Sequence, residues 1–428
     1  MSPIKLQGGG RLRGKIRVPG DKSISHRALI FNGLSSGTAT VEGLLGSEDV
    51  ASTAACLRAL GVKIDGSTVE GCGGQFRRPS TNLDCGNSGT TFRLLLGLLA
   101  GQSFDATCIG DASLSKRPMA RVIRPLTAMG ASFVSEREYP PISIQGGSIK
   151  NGSVESTVAS AQVKTAVMLA ALQGTGELLF REPALSRDHT ERMLRAMGVD
   201  FEDEVAMDGT HTIRMMGPQS LEAVDFVIPG DISSAAFFMV AGLIAPGSEI
   251  HIENVGINPS RAGVLEVLKA MGGSIEEVRP RTVGGEPVAD LVVRSSALSA
   301  VDISGDLVPR LIDEIPVLAV AMAHARGRST VRQASELRVK ESDRIQTTLQ
   351  ILDQLGVDTV EVADGFDVIG QGGTPLKPLR IDAENDHRIA MSALVAAIAV
   401  PGQSTVEGAE AIATSFPTFY SSLEGLRG

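Results

Sequence analysis

The apolar residues of this chain gather into six nearly unbroken stretches, each ending at a glycine. They are ALIFNGLSSG (Gly37), FRLLLGLLAG (Gly101), KTAVMLAALQG (Gly174), FFMVAGLIAPG (Gly247), VLAVAMAHARG (Gly327) and ALVAAIAVPG (Gly402). Each is followed by a second, amphipathic stretch that closes on another glycine: Gly61, Gly130, Gly198, Gly272, Gly356 and Gly425, 23 to 29 residues after the first. The first stretch of each pair is apolar all round, which predicts a helix buried on every side. The second carries one stripe. Val264, Val267, Leu268 and Met271 stand at i, i+3, i+4 and i+7, and Met119, Val122, Ile123 and Leu126 repeat that spacing, which predicts an amphipathic helix. A glycine just past each run predicts a left-handed residue at the helix end. Short pieces such as TATVEG and GVKIDG, between and after the helices, read as strands. The pattern therefore predicts an α/β chain of six units, three units around three central helices in each of two domains.

One turn is written twice. RVPGDKSISHR begins the first unit and VIPGDISSAAF the fourth, so crossovers between the two domains are expected near 19–21 and 228–231. The first copy carries Lys22, Ser23, His26 and Arg27 on an incipient helix, with Asp21 or Ser23 as its cap; the second carries no charge after Asp231. Helix N-termini have unsatisfied N–H groups and attract anions, and two cations placed there strengthen that tendency.

Other units put polar groups at the same junction. Asn87, Ser88, Gly89, Thr90 and Arg93 stand where the second buried helix starts, Ser160, Gln162 and Lys164 at the third, Asp313 and Glu314 at the fifth, and Asp386, His387 and Arg388 at the sixth. The surface helices add Lys116, Arg117, Lys340, Glu341 and Arg344. One such start is helix capping; several, on repeats whose helix ends should point the same way, predict two facing rings of anion-binding groups around a cleft. Lys and Arg suit phosphate and carboxylate ligands. Asp313 and Glu341 are the carboxylates best placed among them for acid–base work.

Composition narrows the classes. The 428 residues are 43 % apolar and 21 % charged, and no apolar run is long enough to span a bilayer. The N-terminus has no apolar signal core, so a cytoplasmic protein is expected. Cys56, Cys72, Cys85 and Cys108 show no CxxC pairing and the six histidines no clustering, so neither a zinc site nor a disulfide scaffold is expected. GDKS lacks the spacing of a P-loop. Arg11, Arg13, Lys15 and Arg17 put a basic face on one strand, but a net charge of −9, no Trp and two Tyr argue against nucleic-acid binding.

The motifs PGDKSISHR, GNSGTTFR, KRPM, ASAQVK, PGDISSAAF, IDEIPVLAVA, ELRVKESDR and NDHRIAM occur in this order from about residue 14 to about residue 420. Together they resemble the 5-enolpyruvylshikimate-3-phosphate (EPSP) synthases, a family of enolpyruvyl transferases also called 3-phosphoshikimate 1-carboxyvinyltransferases. The resemblance implies a two-domain inside-out α/β barrel of six βαβαββ units, with residues 1–20 and 228–428 in one domain and 21–227 in the other. It implies a monomer that transfers the carboxyvinyl group of phosphoenolpyruvate to the 5-hydroxyl of shikimate 3-phosphate, without a cofactor or metal, in the pathway to chorismate and the aromatic amino acids.

Carried over residue by residue, the resemblance puts shikimate 3-phosphate on Lys22, Ser23, Arg27, Ser160, Ala161, Gln162, Arg187, Asp313 and Lys340. It puts phosphoenolpyruvate on Lys22, Asn87, Gly89, Arg117, Gln162, Arg344 and Arg388. Asp313 resembles the base for the 5-hydroxyl, and Glu341, with Lys22, the group that protonates the methylene carbon and later removes a proton during elimination. Three positions depart from the common pattern: Thr414 replaces a lysine, Leu94 a proline and Ala161 a serine, the last as in the family's second class. Gly89 keeps the small residue with which the family admits glyphosate, so inhibition by glyphosate is expected. The related UDP-N-acetylglucosamine carboxyvinyltransferases have a Lys/Asn first motif and a cysteine in an Arg-rich mobile loop, and none of the four cysteines lies in such a loop.

Overall fold

The computed structural model describes residues 3–427. Its α-helices in chain order are α1 (Lys22–Leu34), α2 (Glu48–Ala59), α3 (Gly89–Ala100), α4 (Ala120–Ala128), α5 (Ala161–Ala171), α6 (His189–Ala196) and α7 (Ile232–Ile244). After them come α8 (Gly263–Ala270), α9 (Leu307–Leu311), α10 (Ile315–His324), α11 (Arg344–Leu355), α12 (His387–Ala399) and α13 (Phe419–Gly425). The chain divides into two compact units. One holds the residues up to Pro19, Pro229–Thr282 and those from Pro287 onward; the other holds Gly20–Ile228 with Val283–Glu286. The sequence carried no signal for that four-residue piece, in which Glu286 lies 2.8 Å from His189 Nδ1.

Each unit has its own core. In the second, α1, α3 and α5 are buried at nearly every position, as their all-round apolar sequences require. Three four-stranded sheets accompany them, each with one parallel and two antiparallel pairings. In one, Ser153–Glu155 runs parallel to Gly176–Glu182, which pairs antiparallel with His211–Gly217 and through it with Glu202–Val205. Leu83–Asp84, Ala106–Ile109, Tyr139–Gln145 and Ser132–Glu136 repeat that arrangement. In the other unit α7, α10 and α12 are the buried helices, with two four-stranded sheets and one of three strands, where Ile4–Gly8 pairs antiparallel with Gly402–Glu407.

The twice-written turn marks an exchange of strands. Arg13–Arg17, just before α1 in the chain, runs parallel to Glu249–Gly256, and the parallel strand of α1's own repeat is Phe226–Val227 beside Thr38–Glu42. Each PGD turn thus leads from a sheet of one unit to a core helix of the other.

The glycines divide in their reasons. Gly356 ends α11 in the left-handed region (φ 79°), as expected of a helix terminus. Gly101 does not: its φ is −91°, and a Cβ there would lie 2.7 Å from that of Gln173. Gly174 likewise has no left-handed φ, and a Cβ would meet Asn151 Oδ1 at 2.4 Å. At these two positions the expected left-handed cap is replaced by a requirement for space.

Candidate functional site

In the unit built on α1, α3 and α5, the predicted residues occupy the starts of those helices. Asp21 caps α1, accepting from Ile24 N at 2.8 Å, and Lys22 forms an ion pair with Asp49 of α2. Arg27, one turn along, is buried. Its Nε donates to Thr190 Oγ1 (2.8 Å), Nη1 to the Ser23 carbonyl (3.0 Å), and Nη2 to Thr165 Oγ1 (2.7 Å) and the Ala161 carbonyl (3.3 Å). Burial pulls its pKa down to about 10, against the pull of Glu191 and Asp21 and with a contribution from Arg187, so it is still a cation at neutral pH. His26 is buried and neutral, held well below the usual histidine range by burial and then by Lys22 and Arg27. Its Nδ1 lies 2.7 Å from Thr53 Oγ1, which meets Thr91 Oγ1 at 2.6 Å, which donates to Ser88 Oγ at 2.7 Å. Ser88 caps α3, so a chain of hydroxyls joins the start of α1 to the start of α3.

At α3, Arg117 Nη2 donates to Asn87 Oδ1 (2.8 Å) while Asn87 Nδ2 donates to Asp111 Oδ2 (2.8 Å). Gln162, on the first turn of α5, accepts from Arg93 Nη1 (2.8 Å) and donates to Thr90 Oγ1 (2.9 Å). A Cβ at Gly89 would stand 2.8 Å from Arg93 Nη1, so the guanidinium would have to shift to admit one. Ser160 caps α5, its own N–H donating to Glu182 Oε2 at 3.2 Å, and half-buried Arg187 follows Ser186 on the loop before α6. Lys22, Ser23, Arg27, Asn87, Gly89, Ser160, Ala161 and Gln162 thereby lie at the starts of α1, α3 and α5, with Arg117 bonded to Asn87 from the loop before α4 and Arg187 on the loop before α6.

The other unit gathers the remaining predictions. Asp313, in a short 3-10 turn before α10, has Oδ1 3.3 Å from Arg344 Nη1 and 3.8 Å from Lys340 Nζ. Glu341 accepts from Arg344 Nη2 at 2.6 Å, and Arg388 Nη1 donates to the Asp313 carbonyl at 3.1 Å. Arg344 is 1 % exposed and donates through Nε to Asp386 Oδ2 at 2.8 Å. Burial alone would lower its pKa; Glu341, Asp386 and Asp313 together raise it instead. Asp313, Lys340, Glu341, Arg344 and Arg388 form one charged cluster.

At the unarmed PGD copy the start of α7 is occupied by internal bonds. Ser233 on the first turn of α7 is bonded to Glu314 and Arg261, and Arg261 Nη1 donates to Glu314 Oε2 at 2.7 Å, all buried. Thr414 turns its hydroxyl to the Ala411 carbonyl (2.7 Å), and Leu94 is buried in α3. Sequence reasoning missed Asp49, Glu182, Arg261 and the Arg93–Gln162 bond. Asp49 reads as an ordinary acid in a first helical turn, and Glu182 as a strand-end residue; no pattern within the chain connects them to the site.

The fold is that of the enolpyruvyl transferases. The solved NikO from Streptomyces tendae, an enolpyruvyl transferase, superposes with a TM-score of 0.79 at 20 % identity over 99 % of this chain and 97 % of that one. The family is narrower. Residues 6–423 match EPSP synthase (3-phosphoshikimate 1-carboxyvinyltransferase), and the chain belongs to that family. Relatives of that name in a Synechococcus species (50 % identical, 100 % of each chain) and in Syntrophomonas wolfei (50 %, 97 % of each) match along essentially their full lengths. A solved EPSP synthase from Acinetobacter baumannii is 42 % identical with a TM-score of 0.90, over 100 % of this chain and 98 % of that one.

Proposed function

We propose that this chain is a 3-phosphoshikimate 1-carboxyvinyltransferase of the pathway to chorismate and the aromatic amino acids. The observation that carries this reading is family membership along residues 6–423 together with the clustering of Asp313, Lys340, Glu341 and Arg344.

The roles that the family resemblance implies for these groups supply the chemistry. Asp313 takes the proton of the 5-hydroxyl of shikimate 3-phosphate as that oxygen bonds to C2 of phosphoenolpyruvate, and Glu341, with Lys22, delivers a proton to the methylene carbon. The tetrahedral intermediate then expels inorganic phosphate as the C2–O bond to phosphate breaks. Glu341, with Lys22, then takes a proton back from the new methyl group, which restores the vinyl ether. Lys22, Arg27, Arg187 and Lys340 are assigned to shikimate 3-phosphate with Ser23, Ser160, Ala161, Gln162 and Asp313. Lys22, Asn87, Gly89, Arg117, Gln162, Arg344 and Arg388 are assigned to phosphoenolpyruvate. Fixed cations of this kind stabilise the charge that develops on the intermediate.

The acceptor UDP-N-acetylglucosamine is not favoured, since the relatives matched along their full length are named for 3-phosphoshikimate. Among the described residues no helix is long and apolar enough to cross a membrane. The same reading includes a cytoplasmic monomer and inhibition by glyphosate. Phosphorus NMR of purified protein with both substrates tests it. Inorganic phosphate appearing together with a phosphorylated vinyl ether is expected; phosphoenolpyruvate left intact by folded protein would refute it.

A further inference from the structure

Glu182 ends the strand Gly176–Glu182 and is buried. Its Oε2 accepts from the backbone N–H of Ser160. Its Oε1 accepts from Ser186 N (3.1 Å), Ser186 Oγ (2.9 Å), Lys164 Nζ (3.0 Å) and His211 Nδ1 (3.0 Å). Lys164, fully buried, also donates to the Ser186 carbonyl (3.1 Å) and pairs with Glu191 Oε1 at 2.6 Å. The N–H, carbonyl and hydroxyl of Ser186 are therefore all bound by one ion pair. Ser186 immediately precedes Arg187, and Glu191 immediately follows Thr190, the partner of Arg27.

We propose that Glu182, seated on Lys164, is the positioning residue of the acceptor's anion site: one carboxylate fixes both the backbone of Ser160 and the loop that presents Arg187. This rests on the functional reading above. A carboxylate suits the task because it offers only acceptors, and every group converging on it is a donor. It is ionised throughout the working range: burial alone would raise its pKa, but His211, Lys164 and Ser186 bring it down to about 2. An ion pair with no duty beyond the core would be as well replaced by apolar residues of like volume. The convergence on two acceptor-site segments gives this one a specific use.

Glu182→Gln tests the inference, because the amide keeps the size but turns one acceptor into a donor facing Ser160 N or Lys164. The expected result is a KM for shikimate 3-phosphate raised by about tenfold or more, with the KM for phosphoenolpyruvate within about threefold of wild type. Calorimetric binding of shikimate 3-phosphate alone should weaken in parallel. Ser186→Ala, which removes one hydroxyl from the rim of the cluster, should raise the same KM by about two- to fivefold, and decides the matter if the first variant does not fold. A lowered melting temperature with both KM values unchanged, in whichever variant folds, would overturn the inference and leave Glu182 a purely structural residue. Failure of the functional reading looks different, since the wild type itself would then not turn over shikimate 3-phosphate.

Discussion

Arg344 Nε lies 2.8 Å from Asp386 Oδ2, and both side chains are almost wholly buried. Asp386 also caps α12, accepting from Arg388 N at 2.9 Å, so one carboxylate orients two arginines assigned to phosphoenolpyruvate. Breaking a buried pair by removing one partner costs about 3–5 kcal/mol, and here the low end is expected because Arg344 keeps Glu341 and Asp313. Asp386→Asn should therefore lower the melting temperature and raise the KM for phosphoenolpyruvate by about tenfold. Thermal melts and steady-state kinetics on the same preparation check both.

Asp313 and Glu341 are separable by isotope. Losing a general acid or base costs a factor of about 10²–10⁴. Asp313→Asn and Glu341→Gln should each lower kcat by that order with little change in melting temperature, since both side chains are partly exposed. In deuterated water, Glu341→Gln should also slow the incorporation of deuterium at the methylene carbon, the step that precedes phosphate release. Unaltered incorporation would move the proton to another group.

His26 makes the fold sensitive to acid. Its folded pKa lies well below 6.5, first through burial and then through Lys22 and Arg27. The unfolded chain takes up a proton below about pH 6.5 that the folded chain does not, so His26 contributes stability above that pH and loses it as pH falls toward the folded pKa. The slope is at most about 1.4 kcal/mol per pH unit for one proton. Denaturant unfolding at pH 7 and pH 5 should show a smaller loss for His26→Gln than for wild type.

Glyphosate should compete with phosphoenolpyruvate, with an inhibition constant tighter than millimolar. Gly89→Ala should weaken it by about tenfold or more, since the added Cβ stands 2.8 Å from Arg93 Nη1 and displaces the guanidinium that holds Gln162. Inhibition only in the millimolar range for wild type would contradict this, with Thr414 and Leu94 the positions to revert first.

Much of this was legible in the chain. Helices that are apolar all round, such as Ile232–Ile244, have only the core to go to, and polar residues crowded at the starts of such helices have only their N-terminal ends to occupy. Asp21, Ser88, Ser160 and Asp386 do cap the helices they precede. What the chain concealed is pairing across long separations. The strand of α1's repeat comes from Phe226–Val227, Lys22 is held by Asp49, and Glu182 reaches back to Ser160 from the end of its strand. Local pattern does not encode which distant acid meets which base. The unarmed PGD copy is the instructive middle case: its lack of charge was plain, but the buried Arg261–Glu314 pair that occupies Ser233 was not.

The most direct measurement is phosphate release from phosphoenolpyruvate with shikimate 3-phosphate or UDP-N-acetylglucosamine as acceptor, each with a chelator present. Release with shikimate 3-phosphate alone, undiminished by the chelator, is the predicted result. Release with UDP-N-acetylglucosamine instead, or with neither acceptor from folded protein, would contradict the account.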